Sequence, residues 1–125
     1  MVQKNTELPF QRLRVVQSLS DFQLTGIHRG IIIIFAAWSP LAIMSVRRVT
    51  RILARLDAGS LEIVVLDNDC MSGADMTQLF GHVFHGHGEC LWIRDGRVVA
   101  ELSAAPAESE NSVLTYTKGL IDDLG

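Results

Sequence analysis

The sequence predicts an α/β fold, a three-layer α/β/α sandwich with a mixed central sheet. Two uninterrupted apolar runs rich in β-branched residues, at 31–36 and 61–66, are typical of strands that are buried on both faces of a sheet. Segments with helical apolar spacing follow both runs. Asp95-Gly96 lies between two further apolar runs and indicates a tight β-hairpin, so the last two strands are predicted to be antiparallel.

Length and composition favour one globular domain over residues 1–125. The chain has 48% hydrophobic and 20% charged residues, and residues 1–11 are expected to be a flexible N-terminal segment. The longest apolar run, at 31–44, contains Ser39 and Pro40 and is shorter than the roughly 20 residues of a membrane helix. Two cysteines and an N-terminus without an apolar signal segment predict a cytoplasmic protein.

The first predicted elements are short and precede the central strand. Residues 13–16 are interpreted as a strand, and a short helical stretch is predicted to begin at Ser20 and to end before Gly26. The apolar run at 31–36 is the next strand. Pro40 suits the first turn of the helix that follows, because its fixed φ is helical and its missing N–H is not needed there.

An amphipathic helix of about four turns is predicted to begin at Pro40 and to end at Gly59. Its apolar side is formed by Val49, Ile52, Leu53 and Leu56, and its basic side by Arg47, Arg48, Arg51 and Arg55. The basic side suits an acidic protein or a phosphate group as a partner. The negative net charge of the chain and the lack of interleaved aromatic residues favour an ordinary solvated helix face instead.

The second half of the chain predicts two helices and the hairpin. Residues 61–66 form a strand that ends at the turn-forming residues 67–69. Ser72 is predicted to cap a helix that ends at Gly86, with an apolar stripe of Met76, Leu79, Phe80, Val83 and Phe84. The hairpin strands are predicted at 90–93 and 98–102. The closing helix has an apolar side of Val113, Leu114, Thr117, Leu120, Ile121 and Leu124.

The order of these elements and several local features resemble the thioredoxin-like superfamily. Residues 31–35 stand where thioredoxins have the strand before their redox motif, and Trp38 stands where they have the tryptophan before the first cysteine. Residues 94–98 (RDGRV) look like the Lys-Asn-Gly-Glu-Val hairpin of that family, and residues 113–124 look like its terminal helix. The resemblance covers roughly residues 12–125 and implies a thioredoxin-like fold for the whole domain.

The sequence departs from thioredoxins at the redox motif. Thioredoxins carry Trp-Cys-Gly-Pro-Cys, whereas this chain has Trp38-Ser39-Pro40-Leu41-Ala42; an alignment without gaps from Phe35 instead puts Pro40 and Ile43 at the cysteine positions. Dithiol exchange needs an attacking thiolate and a second sulfur, so a redox-inactive, divergent member is predicted. The cis-proline of the family falls at about Gly88, where a trans peptide in a loop loosened by glycine is expected.

The thioredoxin arrangement brings the ends of two parallel strands and the start of the first hairpin strand to one edge of the sheet. The candidate binding surface at this edge consists of Trp38, Ser39, Asp67, Asp69, His87 and Glu89. The resemblance implies recognition of an extended polypeptide there, so the predicted role is a noncatalytic protein-binding or scaffold module. We expect another protein as the partner, no cofactor, and neither nucleic acid nor membrane; a homodimer is left open.

The alternative is an enzyme with a single reactive cysteine, or a zinc-binding protein, at the same edge. Cys90 is the candidate thiol, with His87 as a base, and Cys70 is a second candidate; a buried structural cysteine is the more frequent case. Cys70 and Cys90 flank the central strand, which disfavours a disulfide. Zinc would use His82, His85, His87 and Cys90, but a spacing without paired cysteines is a weak signal.

Ser39 and the two tryptophans each allow two interpretations. Ser39 with His87 and either Asp67 or Asp69 suggests a hydrolase triad, but a serine just before Pro40 is better explained as a helix N-cap. Trp92 is expected to pack against a helix. Trp38, at a turn between strand and helix, is interpreted equally as an exposed contact anchor and as part of the core.

Overall fold

The structure, a computed structural model, describes residues 13–16, 22–36, 38–56, 61–70, 72–81, 84, 87–102 and 110–122. Its strands are β1 (Leu13–Val16), β2 (Arg29–Phe35), β3 (Glu62–Asp67), β4 (His87–Arg94) and β5 (Arg97–Leu102). Its helices are α1 (Pro40–Arg55), α2 (Gly73–Phe80) and α3 (Glu110–Asp122), and single 3-10 turns lie at Leu24–Gly26 and Asn68–Cys70. The segment predicted to be flexible, 1–11, lies outside the described residues.

The five strands form one mixed sheet in the order β1-β3-β2-β4-β5. β1, β3 and β2 are parallel, whereas β4 pairs antiparallel with both β2 and β5. At the centre of the sheet, Ile33 of β2 lies between Val65 of β3 and Cys90 of β4. The prediction of a mixed central sheet is therefore confirmed, and the apolar runs at 31–36 and 61–66 supply its two central parallel strands.

Side chains of β2 alternate between two apolar cores, one on each face of the sheet. Ile31 and Ile33 pack with residues of α1 and α3, and Ile32 and Ile34 pack with Met76 of α2. All four isoleucines are fully buried, which is why this strand is apolar at consecutive positions instead of alternating with polar residues. The arrangement is the predicted three-layer α/β/α sandwich. None of the helices in the described ranges has the length and apolar character needed to cross a membrane.

α1 begins where the sequence predicts. The Oγ of Ser39 accepts a hydrogen bond from the backbone N–H of Ala42 at 3.2 Å, and Pro40 is the first helical residue. These two features satisfy or remove donors that the first turn of a helix cannot pair internally. The helix has 16 residues, in agreement with the predicted four turns, and it ends at Arg55. Gly59, the predicted stop, lies outside the described residues.

The basic side of α1 differs from the prediction at one position. Arg47, Arg51 and Arg55 are exposed, but Arg48 is buried, so its predicted place on the solvent side is wrong. At about 100° per residue, Arg48 lies at the border between the exposed side and the buried side that contains Ser45. A long arginine stem can pack there against apolar surface.

α2 is shorter than predicted. It begins after the predicted cap, Ser72, whose Oγ accepts from the backbone N–H of Asp75 at 3.1 Å, but it ends at Phe80 and not near Gly86. Gly81 adopts a left-handed conformation (φ 89°) and its N–H donates to the carbonyl of Thr77, which ends the helix. Ser20, where a short helix is predicted to begin, lies outside the described residues; in the described part, the turn at Leu24–Gly26 includes the glycine that was expected to stop this helix.

The hairpin forms as predicted, and the closing helix is α3; Leu124 of its predicted apolar side lies outside the described residues. Asp95 and Gly96 have φ values of 52° and 78°, as a two-residue turn of type I′ requires. In the strand before this turn, the indole N–H of Trp92 donates to Oγ1 of Thr117 in α3 at 3.1 Å, and the Trp92 and Tyr116 rings are 5.0 Å apart in an edge-to-face contact. The expectation that Trp92 packs against a helix is confirmed.

Candidate functional site

The sheet register brings the predicted site segments to one edge. Phe35, the last residue of β2, pairs with Asp67 at the end of β3 and with His87 at the start of β4. The turn from β2 to α1 and the 3-10 turn that contains Asp69 follow directly from these strand ends. The edge therefore combines two strand ends, the start of a third strand and the first turn of α1. We call this region the strand-end edge.

Trp38 is the most exposed large apolar side chain at the strand-end edge. Its exposed fraction is 61%, and its indole N–H donates to Oδ1 of Asp69 at 3.1 Å. Oδ1 of Asp67 in turn accepts from the backbone N–H of Asp69 at 3.0 Å, which fixes the turn that carries the partner carboxylate. Of the two interpretations of Trp38, exposure favours the contact anchor over the core residue.

Two residues of the predicted binding surface are buried, so their predicted exposure is wrong. The exposed fractions of Ser39 and Glu89 are 2% and 4%. The Ser39 hydroxyl caps α1, as the N-cap interpretation predicts, so it is not poised as the nucleophile of a triad. Glu89 pairs with Ile34 inside the sheet and takes part in interactions within the fold. Neither side chain is available as a first contact for a partner. The order of elements along the chain predicts which sheet edge these residues reach, but their exposure depends on the elements packed around them.

Gly88 is packed tightly against α1, and the expectation of a loosened loop is wrong at this residue. It has a φ of 90°, and a Cβ added there would lie 2.4 Å from Cβ of Ser45 and 3.1 Å from Cα of Ala42. Ser45 donates its hydroxyl to the carbonyl of Gly88 at 2.7 Å. The described part of the chain contains no cis peptide, which confirms the expected trans bond. Ser45 is not among the predicted site residues; its signal in the sequence is a small residue one turn after Ala42 on the buried side of α1.

Cys90 is a buried, neutral thiol. Its Sγ donates to the carbonyl of Gly88 at 3.3 Å and lies 3.5 Å from Oγ of Ser45. Burial raises the pKa of Cys90 from 9.0 to about 12; the hydrogen bond with Ser45 lowers this pKa and the charge of Glu89 raises it, both by less than burial does. A thiol of this pKa is protonated at neutral pH and is a poor nucleophile. The geometry therefore favours the buried structural cysteine over the reactive thiol.

The remaining candidates lie partly outside the described residues. His82 and His85 are outside, as are the side chains of His87 and Cys70, of which the structure gives only the backbone. The predicted zinc site at His82, His85, His87 and Cys90 is therefore not tested as a whole. Among the side chains that are described, no group of three or more potential metal ligands occurs, and Cys90 is a free cysteine.

The exposed side of α1 extends the strand-end edge and was not predicted as part of the site. Leu41 and Met44, in the first turns of the helix, have exposed fractions of 52% and 51%. They continue the apolar surface of Trp38 toward the exposed Arg47 and Arg51. The signal for this extension was present in the sequence as apolar residues outside the buried stripe of α1.

Solved structures with similar folds include several thioredoxins. The chain is similar to the thioredoxin of Trypanosoma brucei brucei, with 12% identity and a TM-score of 0.69 over 94% of this chain and 98% of that one. For the thioredoxin NaTrxh of Nicotiana alata the identity is 19% and the TM-score 0.65, over 89% and 97% of the two chains. For the Malassezia sympodialis thioredoxin (Mala s 13) the identity is 14% and the TM-score is 0.63, over 84% of this chain and 90% of that one. No protein-family model and no curated protein matches the sequence.

The chain thus has the thioredoxin-like fold that the sequence predicts. At identities below 20%, the similarity concerns the fold and not the chemistry of these relatives. In this chain, the turn between β2 and α1 contains Trp38 and Ser39, and α1 continues with Pro40, Leu41 and Ala42. In one alignment with the thioredoxin motif, Ser39 and Ala42 occupy the cysteine positions, and in the other Pro40 and Ile43 do; neither alignment places a sulfur atom there.

Proposed function

We propose that this protein is a noncatalytic thioredoxin-like module that binds another protein chain, as a recognition or scaffold component, through the strand-end edge. The observation that carries the proposal is the contrast within this edge between an exposed indole and a buried thiol. Trp38 is 61% exposed, whereas Cys90 is fully buried. A surface built in this way favours contact over sulfur chemistry.

The fixed orientation of Trp38 supports a contact role. Its indole N–H is held by Asp69, whose own backbone is held by Asp67. An aromatic side chain that is ordered before binding loses little conformational entropy when a partner covers it. Tryptophan is also among the residue types enriched at the energetic centres of interfaces, because it buries a large area with only two rotatable bonds.

The environment of Cys90 supports the noncatalytic part of the proposal. Thiol–disulfide exchange requires a thiolate that can reach solvent and a second sulfur that resolves the mixed disulfide. Cys90 is fully buried, its pKa is raised to about 12, and its thiol donates a hydrogen bond to the carbonyl of Gly88. The N-terminus of α1, where a helix lowers the pKa of a thiol, carries Ser39 instead.

The proposal is tested by capture of partners from native lysate with matched surface variants. Trp38→Ala removes the exposed indole, and Val99→Ala, on β5, removes an apolar side chain of 48% exposure that lies on the hairpin. We expect a specific protein to be retained by the wild-type chain and by Val99→Ala, and to be lost or strongly reduced with Trp38→Ala. Quantitative mass spectrometry of the retained proteins measures the difference.

The capture experiment requires that both variants stay folded, which circular dichroism and urea unfolding establish. Both substitutions remove exposed atoms, so each is expected to change the free energy of unfolding by less than about 0.5 kcal/mol. Equal retention of every captured protein by the wild-type chain, Trp38→Ala and Val99→Ala would show that Trp38 anchors no partner, and the proposal would be wrong.

A further inference from the structure

The exposed side of α1 has two chemically different halves. We call this side, together with Trp38 just before it, the outer face. Its N-terminal half is apolar and contains Trp38, Pro40, Leu41, Ile43 and Met44; its C-terminal half is basic and contains Arg47, Arg51 and Arg55. Pro40, Met44, Arg47, Arg51 and Arg55 are spaced three or four residues apart, so they follow one line along the helix.

The charge of α1 is opposite to that of the rest of the chain. α1 contains four of the 11 basic residues and none of the 14 acidic residues, while the net charge of the whole chain is -3. Arg47 and Arg51 are exposed, and their side chains form no ion pair or hydrogen bond with the residues that the structure describes. Within the described part of the chain no carboxylate neutralises these two guanidinium groups, and guanidinium groups suit pairing with the carboxylates of a partner.

We propose that the outer face docks an acidic amphipathic segment of a partner protein, with apolar side chains on Leu41 and Met44 and carboxylates opposite Arg47 and Arg51. This inference rests on the proposed function, because it extends the contact made by Trp38 and names the chemistry of the partner. The two halves of the outer face determine the chemistry of the proposed partner. The basic half favours a negatively charged segment, and the adjoining apolar half favours one that is also hydrophobic.

The size of the outer face fits such a segment. From Pro40 to Arg55 the helix axis is about 22 Å long at 1.5 Å per residue, which matches a partner helix of about four turns. A partner helix with apolar residues in one half and carboxylates in the other would place both kinds of contact on one side. The apolar contact then supplies most of the affinity, and the arginines supply orientation and rate of association.

Other occupants fit the outer face less well. A second copy of the chain would bring the same face, which has no carboxylate to neutralise its arginines. A nucleic acid would use the basic half but would leave the apolar half uncovered, and the acidic chain repels phosphates in general. A lipid surface meets the same overall repulsion. These occupants are outcomes of the test.

The test uses synthetic peptides of defined charge. Two fluorescent peptides of 16 residues, the length of α1, carry leucines on one side of one half and glutamates on the same side of the other half, in either order. We expect at least one of them to bind the wild-type protein by fluorescence anisotropy, with an affinity that falls as salt is added. Binding of neither peptide would overturn the proposal.

Charge reversal gives the decisive comparison. The double variant Arg47→Glu/Arg51→Glu is expected to bind the acidic peptide at least about tenfold more weakly, since it replaces two attractive contacts by two repulsive ones. Arg97→Glu, at an exposed arginine on β5, changes the charge of the chain in the same direction and is expected to weaken binding by about twofold or less. A peptide with lysines in place of the glutamates should bind the double variant better than it binds the wild-type protein.

The outcomes separate this inference from the proposed function. If Trp38→Ala loses the captured partner but the double variant binds the acidic peptide as well as the wild-type protein does, the outer-face inference is wrong and the proposed function stands. If Trp38→Ala captures every partner normally, the proposed function itself fails. Tighter binding of duplex DNA or of equimolar phosphatidylcholine–phosphatidylglycerol vesicles than of either peptide, or a dimer that the double variant abolishes, would also overturn the inference.

Discussion

The inner and outer sides of α1 have opposite roles in this molecule. On the inner side, Ala42 and Ser45 lie against Gly88, and Ser45 contacts the thiol of Cys90. On the outer side, Leu41 and Met44 are half exposed. The inner side fixes α1 against β4, whereas the exposed outer side is expected to contribute little to stability. Substitutions on the two sides should therefore affect different measurements.

The largest expected effect is the loss of the close contact between α1 and β4. Gly88→Ala places a Cβ 2.4 Å from the Cβ of Ser45, so α1 or β4 must move. The substitution also puts a side chain on a residue with φ near 90°, a conformation that strains an alanine. We expect a loss of at least about 3 kcal/mol in the free energy of unfolding, measured by urea denaturation.

Gly81→Ala is the matched control for Gly88→Ala. Gly81 has a φ of 89°, but a Cβ added there would meet nothing within 4 Å. The left-handed conformation alone costs an alanine about 1–2 kcal/mol, so the difference between the two variants reports the close contact with Ser45 and Ala42 of α1. Equal losses from the two substitutions would mean that the close approach of Gly88 to α1 contributes nothing.

The two tryptophans give the next comparison, because each donates its indole N–H over 3.1 Å but in a different environment. Thr117→Val removes the acceptor of the buried Trp92 while keeping the shape of the side chain, and it should cost about 2 kcal/mol through an unpaired buried donor. Asp69→Ala removes the acceptor of the exposed Trp38, where water can replace it, and should cost less than about 0.5 kcal/mol. Thermal unfolding of both variants measures this, and a larger loss from Asp69→Ala would contradict it.

The raised pKa of the buried Cys90 thiol predicts that the free energy of unfolding falls at alkaline pH. Its pKa is raised from 9.0 to about 12 by burial, so the unfolded chain ionises the thiol at a lower pH than the folded chain. The stabilising effect of this neutral thiol is complete below pH 9.0 and is lost as the pH rises from 9.0 toward 12.

The matched variant for this prediction is Cys90→Ala, which removes the titration. Between pH 9 and about pH 10.5, the wild-type protein should lose stability more steeply than Cys90→Ala, by up to roughly 1 kcal/mol per pH unit. Urea unfolding at a series of pH values gives the slope of the free energy of unfolding against pH for both proteins. The difference between the two proteins that does not change with pH reports the packing lost in Cys90→Ala. Parallel slopes would show that the thiol is ionised as easily in the folded protein as in the unfolded chain.

The smallest effect on stability is expected on the outer face. Met44→Gln and Arg51→Gln each replace an exposed side chain by a helix-compatible polar one, and each should change the free energy of unfolding by less than about 0.5 kcal/mol. The same measurements on Ala42→Gln, on the inner side, should show severe destabilisation, because Ala42 is fully buried. A loss of more than about 1 kcal/mol from Met44→Gln or Arg51→Gln would contradict the separation of the two sides.

Much of the fold could be predicted because its signals are local. A run of four isoleucines between turns, a serine followed by proline before a helix, and Asp95-Gly96 in a hairpin each determine backbone conformation within a few residues. The end of α2 could not be predicted from periodicity, because Val83 and Phe84 continue the apolar spacing beyond it. The left-handed Gly81 ends the helix instead, and Phe84 packs against Phe80 from outside it, with 5.6 Å between ring centroids.

The candidate site was predicted in its position but not in its exposure. Chain order brings Trp38, Asp67 and Glu89 to one edge, yet only a three-dimensional arrangement shows that Glu89 is covered. The hydrogen bond from Ser45 to Gly88 joins residues 43 positions apart, and no local pattern signals it. The same contact changes the interpretation of Cys90, whose reactivity depends on burial and not on the residues beside it in sequence.

The proposed function requires that this domain, which has a thioredoxin-like fold, acts by contact and not by sulfur exchange. Reduction of insulin disulfides, with dithiothreitol as the electron donor, compares the wild-type chain with the double variant Cys70→Ser/Cys90→Ser. We predict that the wild-type protein accelerates the reaction no more than the double variant does, and that both match the rate without protein. Acceleration by the wild-type chain that disappears in the double variant would contradict the account.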